Sequence, residues 1–194
     1  MQATTRPRSS RVESRSGARA RTARQAAPPP GPARLRQVYG AFPTGVTAVA
    51  GLVEGGPVGI TASSFTSVSL DPPLVSFCVA HSSTTWPRLR RAERLGISVL
   101  AADQHHIGRR LAAPAADRFA EVAWYATADG AVLLDGAAAW LETSVLSLVP
   151  AGDHDIVILA VHDLDLRDGV KPLVFHASRF GTVHPAADSP PGRA

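Results

Sequence analysis

The hydrophobic pattern along the chain is mostly that of β-strands. Val46 to Val53 is a run of small apolar residues, and Val58 to Thr61 starts another after the turn Glu54-Gly55-Gly56-Pro57. Asp71-Pro72-Pro73 breaks the chain before the apolar strand Leu74 to Ala80. Leu95 to Ala101 follows. Asp135-Gly136 then turns into a long strand over Ala137 to Leu148, with Ile156 to Asp165 and a short Leu173 to Phe175 after it. Three stretches carry helical spacing instead. Arg34 to Ala41 places Leu35, Val38 and Tyr39 on one side. Thr84 to Arg94 tolerates Pro87 in its first turn, and Asp103 to Leu111 has Asp103 as its N-cap. Several antiparallel strands with short helices predict a mainly β fold. A closed or nearly closed barrel fits better than a doubly wound sheet.

The two ends break this pattern. Residues 1–32 are rich in Arg, Ala, Ser and Pro, close on Pro28-Pro29-Pro30-Gly31-Pro32, and hold almost no large apolar side chain. Such a segment cannot bury enough surface to offset its ordering entropy and is expected to be disordered, as is 185–194. One folded domain over 33–184 remains. Charge follows the same division. Residues 1–34 hold eight arginines and one acid, so the folded part is mildly acidic although the whole chain carries +4. The arginine-rich tail is either a solvated tail, a transit peptide or a nucleic-acid arm. It has no aromatic residue to stack on bases, so a nucleic-acid partner is not expected. The longest apolar runs are strand-length, far short of the roughly 20 residues of a membrane span. No signal-peptide stretch opens the chain, so a cytoplasmic protein is expected. Cys78 is the single cysteine, which excludes an internal disulfide and a cysteine metal cluster. Between Phe77 and Val79 it is expected to be a small buried hydrophobe.

Neither common phosphate loop is present. Four polar segments are candidates for chemistry. Thr61-Ala62-Ser63-Ser64-Phe65-Thr66-Ser67 is either a polar edge strand or a hydroxyl-rich wall that donates to a planar heterocycle. His81-Ser82-Ser83-Thr84-Thr85 leads into a predicted helix. It is either a plain cap or an anion site at a helix start, with Arg88, Arg90 and Arg91 adding charge. Asp117-Arg118-Phe119 offers a phosphate fork and a ring to pack on a ligand, or only an ion pair between Asp117 and Arg118. In Gly152-Asp153-His154-Asp155 the histidine can act as acid or base, bind a metal, or cap a turn. His105 and His106 are adjacent and face different ways, and HExxH and GxSxG are both absent, so a metal site and a serine hydrolase are not expected.

The order of these segments resembles the short-chain flavin reductase family, the reductase components of two-component flavin monooxygenases. Phe42-Pro43-Thr44-Gly45-Val46 comes first, then Val58 to Val75 with its TASSFTSVSLDPP core, then Ser82-Ser83-Thr84. Val99 to Gln104, Asp117-Arg118-Phe119, Leu134 to Glu142 and Ala151 to Val157 follow, so the likeness runs from about Arg34 to Val183.

The resemblance implies an FMN-binding split β-barrel, antiparallel and Greek-key-like, working as a homodimer. It implies FMN or FAD as flavin and NADH or NADPH as reductant, with reduced flavin passed to a partner monooxygenase. By the same resemblance Thr61, Ala62, Ser63, Ser64 and Phe65 line the flavin ring. Ser82, Ser83, Thr84, Arg118 and Phe119 belong to the phosphate end, and Pro43 and Gly45 to the cofactor site. His154 lies near flavin and nicotinamide and positions them. Relatives carry Lys where Arg118 stands, and an aromatic-His-Arg-Gly-Arg-Tyr-like segment where this chain reads Phe175-His176-Ala177-Ser178-Arg179-Phe180. Arg179 and Phe180 keep the cofactor assignment, whereas Ala177 and Ser178 replace a contact pair. Two alternatives share the barrel: a non-catalytic flavin- or haem-binding protein, and an FMN oxidase of the pyridoxamine-phosphate type.

Overall fold

The computed structural model describes residues 29–114 and 117–184. The tails expected to be disordered lie outside these residues, apart from 29–32. There Pro32 opens helix α1 (Pro32–Tyr39), two residues before the expected start. Proline is favoured in the first turn, where its missing N–H has no partner to lose.

The strands in chain order are β1 (Thr44–Gly45), β2 (Thr47–Val53), β3 (Gly56–Ala62), β4 (Thr66–Leu70), β5 (Pro73–Ala80), β6 (Leu95–Val99), β7 (Trp124–Ala126), β8 (Val132–Leu134), β9 (Ala139–Ala151), β10 (His154–Leu166), β11 (Leu173–His176) and β12 (Arg179–Thr182). Helices α2 (Trp86–Leu89) and α3 (His105–Ala112) fall between β5, β6 and β7. Seven strands form one sheet in the order β3-β2-β6-β9-β10-β5-β4, and every pairing is antiparallel. Its edge strands β3 and β4 do not pair with each other, so the barrel is split, in agreement with the expected mainly β, antiparallel class. Smaller sheets β1-β11-β12 and β7-β8 flank it.

The sheet curls around a core to which β2, β3, β5, β6, β10 and α2 contribute Val49, Val58, Phe77, Ile97, Leu159 and Leu89. Strand β2 is buried on both faces. Val49 and Val53 point into this core, while Val46, Ala48 and Ala50 join a second one with Leu111, Phe119 and Leu134. Two buried faces explain its unbroken apolar run, since a half-exposed strand would alternate. Among the described residues no helix is long and apolar enough to cross a membrane.

Several expectations shift. Helix α2 covers only Trp86–Leu89 instead of Thr84 to Arg94. Ser83 Oγ already accepts the Trp86 N–H at 3.1 Å, and the chain leaves the helix at Arg90 to enter β6. Asp103 does not cap α3. Gln104 is the N-cap residue, and its amide accepts the Ala101 N–H and donates to the Asp135 carbonyl instead. Cys78 is exposed rather than buried. Val75, Phe77 and Val79 take the inward face of β5, which turns Cys78 to the outer face. Strands β1, β4, β7, β8 and β12 are additional to those the pattern predicts.

Candidate functional site

The outer face of the barrel carries three cavities in a row. They lie between the β3–β4 bend, the loop from Ala80 to Thr85, helix α3 and the loop at Asp117 to Phe119. The end cavity, about 460 Å³, is bounded by Gly59, Thr84, Thr85, Arg88, Asp117 and Arg118. The middle one, about 330 Å³, shares Thr84, Thr85 and Arg118 with it and adds Thr61, Cys78 and Ser82. The third, about 410 Å³ and the most apolar, shares Thr61 with the middle one and adds Ser63, Arg109 and Phe180. The three together form one groove, cationic at one end and aromatic at the other.

Each wall has a local cause. The segment after β3 both bends and pairs. Ser63 to Phe65 form the bend, and β4 continues as an edge strand on β5, as the edge-strand reading expects. Ser64 pins the bend: its Oγ accepts the Cys78 N–H at 2.8 Å and donates to the Cys78 carbonyl at 3.3 Å. Thr61 Oγ1 donates to the Gly108 carbonyl of α3 at 2.9 Å. Ala62 is buried in the barrel core, its carbonyl accepting from Thr47 Oγ1, and Phe65 packs against the same core. Of these five residues, Ser63 and Thr61 line the groove, Thr61 while tying down α3.

At the cationic end Arg118 does not pair with Asp117. Its Nη1 donates to Thr85 Oγ1 at 2.8 Å and to the Gly59 carbonyl at 3.3 Å. Asp117 Oδ1 instead accepts the N–H groups of Phe119 and Ala120, which fixes the loop. Nη1 is thereby fully used, and the Nε and Nη2 edge of Arg118 donates to no described residue. That edge is the fork that binds phosphate oxygens in pairs. Phe119 borders the end cavity, but its ring is buried, 6.4 Å from the Trp124 ring centroid. It serves as a floor beneath β3. A Cβ on Gly59 would meet Phe119 Cζ at 2.8 Å and the Val49 carbonyl at 3.0 Å, so the close approach requires glycine there. The helix start offers less than its sequence suggested. A four-residue α2 has almost no macrodipole, and Ser83 already occupies its first N–H, so anion binding falls to side chains.

His154 stands outside the groove. The hairpin from β9 to β10 turns on Gly152-Asp153, with Gly152 at φ +69°, and His154 pairs across the sheet with Ala80 at the foot of the serine-rich loop. Its Nδ1 lies 2.7 Å from Asp153 Oδ1. A carboxylate only accepts, so Nδ1 is the donor in this contact. The hydrogen bond and charge of His154 hold the Asp153 carboxyl below the usual carboxylate range. A second such pair lies beside it: His81 Nε2 to Asp155 Oδ1 at 3.1 Å, with the His81 N–H on the Asp153 carbonyl at 3.0 Å. The GDHD turn and the serine-rich loop are thus one unit.

The remaining predicted residues divide. Pro43, Arg179 and Phe180 line a fourth cavity of about 560 Å³, which meets the groove at Phe180. Gly45 pairs with Val174 and borders none of these cavities. Arg109, which the sequence did not single out, sits with its guanidinium carbon 5.6 Å from the Phe180 ring centroid. Its only sequence signal was a basic residue one step past Gly108.

A flavin mononucleotide fits this donor set. Arg118 and Thr84 would hold its phosphate, Ser63 and Ser82 offer hydroxyls along the ring and ribityl chain, and the apolar part of the groove suits a tricyclic ring. Comparison with known proteins agrees. A family model described as a flavin reductase like domain matches residues 39–184. The chain belongs to that family. It is 41% identical over 143 residues to an NADH:FMN oxidoreductase of Rhodococcus qingshengii, covering 71% of this chain and 74% of the relative. Two solved structures share its fold. One is nitrilotriacetate monooxygenase component B from Mycobacterium thermoresistibile, 32% identical with a TM-score of 0.78, covering 84% of this chain and 92% of that one. The other is an NADH:FAD oxidoreductase from Streptomyces globisporus C-1027 in complex with NAD and FAD fragments. It is 39% identical with a TM-score of 0.75, covering 80% of this chain and 94% of that one. Two of the curated relatives are longer, and the match spans only 41% and 56% of their length.

Proposed function

We propose that this chain reduces free flavin with NADH or NADPH and hands the product to a partner monooxygenase. The observation that carries the reading is the groove itself: hydroxyl-lined along its middle, apolar at one end, and closed at the other by an Arg118 fork whose Nε and Nη2 edge donates to no described residue. Relatives named as reductases and monooxygenase components support it.

When bound, flavin supplies the ring that accepts a hydride from the reduced nicotinamide. The protein's own work is placement. Arg118 and Thr84 hold the phosphate and set how far the ring reaches along the groove. Ser64 clamps the bend to β5 and keeps Ser63 on the groove wall. His154, steadied by Asp153, stands on the rim and orients the nicotinamide. No side chain is expected to act as an essential proton donor. Holding two reacting atoms about 3–3.5 Å apart is the catalytic act expected of such a site.

Two copies of the chain pair in this reading. Helix α1 buries none of its residues, and Val38 and Tyr39 on it and Phe42 just beyond are all exposed, an apolar surface that a second copy would cover. Light scattering is expected to give twice the chain mass, and a monomer under assay conditions would remove that element.

The deciding experiment follows the nicotinamide absorbance band with FMN, FAD and riboflavin in turn, against NADH and NADPH. Flavin-dependent consumption of at least one nucleotide is expected. No consumption with any pair overturns the proposed activity.

A further inference from the structure

The end cavity is larger and more cationic than one phosphate monoester needs. Arg118 and a few hydroxyls suffice for a monoester, yet the cavity beyond them has about 460 Å³, by itself within the range of roughly 300–1,000 Å³ typical of small-molecule sites. A second guanidinium, Arg88, lines it from α2 and makes no hydrogen bond or ion pair with any described residue. Its lining carboxylate, Asp117, is bound to two backbone N–H groups. The cavity therefore keeps net positive charge. Two like charges facing one space repel unless an anion lies between them. Pro57, Val58 and Pro114 complete it with apolar surface.

We infer that this cavity is a diphosphate and nucleoside site, in which Arg118 takes the phosphate next to the ribityl chain and Arg88 the second. FAD is then the preferred flavin, and FMN leaves the Arg88 half empty. This rests on the flavin-reductase reading and assigns Arg88 as the residue that sets specificity. A diphosphate beside a nucleoside also occurs in NADH. The flavin is the source assigned here, because the cavity continues into the groove proposed for the flavin ring through Thr84, Thr85 and Arg118.

The test measures binding of FMN, FAD and riboflavin by titration calorimetry, together with KM for each flavin and for NADH. The wild type is compared with Arg88→Gln and with Arg90→Gln. Arg90 is an exposed neighbour on the same turn and lines none of the cavities. The wild type is expected to bind FAD about tenfold tighter than FMN, the scale of one charge-assisted hydrogen bond. Arg88→Gln removes that advantage and leaves FMN, riboflavin and NADH unchanged, whereas Arg90→Gln changes none of them. Three results overturn the inference while sparing the flavin-reductase reading: equal wild-type affinity for FMN and FAD, equal weakening of both flavins by Arg88→Gln, or a rise confined to the NADH KM. Failure of all three flavins to bind overturns both.

Discussion

The two ends of the ligand-binding region are built differently. At the cationic end the groups around Arg118 are tied down. Arg118 is half-buried, braced by Thr85 and the Gly59 carbonyl, with Asp117 fixing its loop and Phe119 beneath it. At the histidine end the two His–Asp pairs stand on a hairpin tip and a loop, and the His81, His154 and Asp153 side chains are half-exposed or more. The Arg118 charge sits where its rotamer is already fixed, so little entropy is lost when it meets an anion. A partner that must arrive and leave in each cycle meets a looser rim. In the proposed function the first end grips the flavin and the second turns over the nicotinamide.

The sharpest way to break this contrast is Arg118→Ala. Losing a charge-assisted contact of about 1.5–3 kcal/mol weakens flavin binding by roughly tenfold to a hundredfold. With flavin saturating, kcat changes little. Arg118→Lys recovers only part, since an ammonium keeps the charge but not the fork. Calorimetry beside steady-state kinetics reads both quantities. Unchanged flavin affinity with a collapsed kcat would reverse the roles of the two ends.

A smaller effect is expected from His154→Ala. The KM for the nicotinamide rises several-fold, about what one neutral hydrogen bond of roughly 1 kcal/mol supplies, while kcat falls less and flavin affinity stays put. Complete loss of turnover with flavin still bound would make His154 a catalytic residue and remove the distinction between grip and rim.

A change in neither end serves as the reference. The β11–β12 hairpin turns on Ala177 and Ser178, at φ +47° and +63°. Such two-residue turns favour Asn-Gly, and a side chain in the left-handed region costs roughly 1 kcal/mol. Ser178→Gly is expected to add about 1 kcal/mol of stability and raise Tm by about 2–4 °C. Both KM values should stay unchanged. Calorimetric melting measures the first, and a shift in either KM would tie this hairpin to the site.

How legible all this was depends on what each segment had to satisfy. Strands buried on a face announced themselves. Val75, Phe77 and Val79 alternate inward on β5, and β2 reads as a solid run because cores lie on both its sides. The same alternation placed Cys78 outward, a consequence of register that local hydrophobicity hid. Strand β12 carries one large apolar residue, Phe180, and β7 and β8 are three residues each, too short to show a period. Their pairing is decided by tertiary contact. In the site, residue types were visible but their partners were not. Nothing local says that Ser64 spends its hydroxyl on Cys78, that Arg118 ignores Asp117 for Thr85, or that α2 stops after four residues. Those outcomes depend on which loops the barrel brings together.

The smallest expected effect concerns Asp153. Its carboxyl is held below the usual carboxylate range, first by the hydrogen bond from His154 and then by that histidine's charge. A carboxyl with a lowered folded value favours the folded arrangement above its ordinary titration range, and the contribution disappears as pH falls through the lowered value. Through neutral and mildly acidic pH, Asp153 therefore stays ionised and favours a donor at Nδ1 of His154. Asp153→Asn removes that preference, since an amide can donate as well as accept. Solvent screens so exposed a pair, so the nicotinamide KM should rise less than in His154→Ala. The difference between variant and wild type should close on acidification below the ordinary carboxylate range. Stopped-flow reduction with preformed protein–flavin complex measures this before acid unfolding intervenes. If Asp153→Asn matched His154→Ala in size at neutral pH, the rim would be as rigidly specified as the cationic end, and the contrast between them would fail.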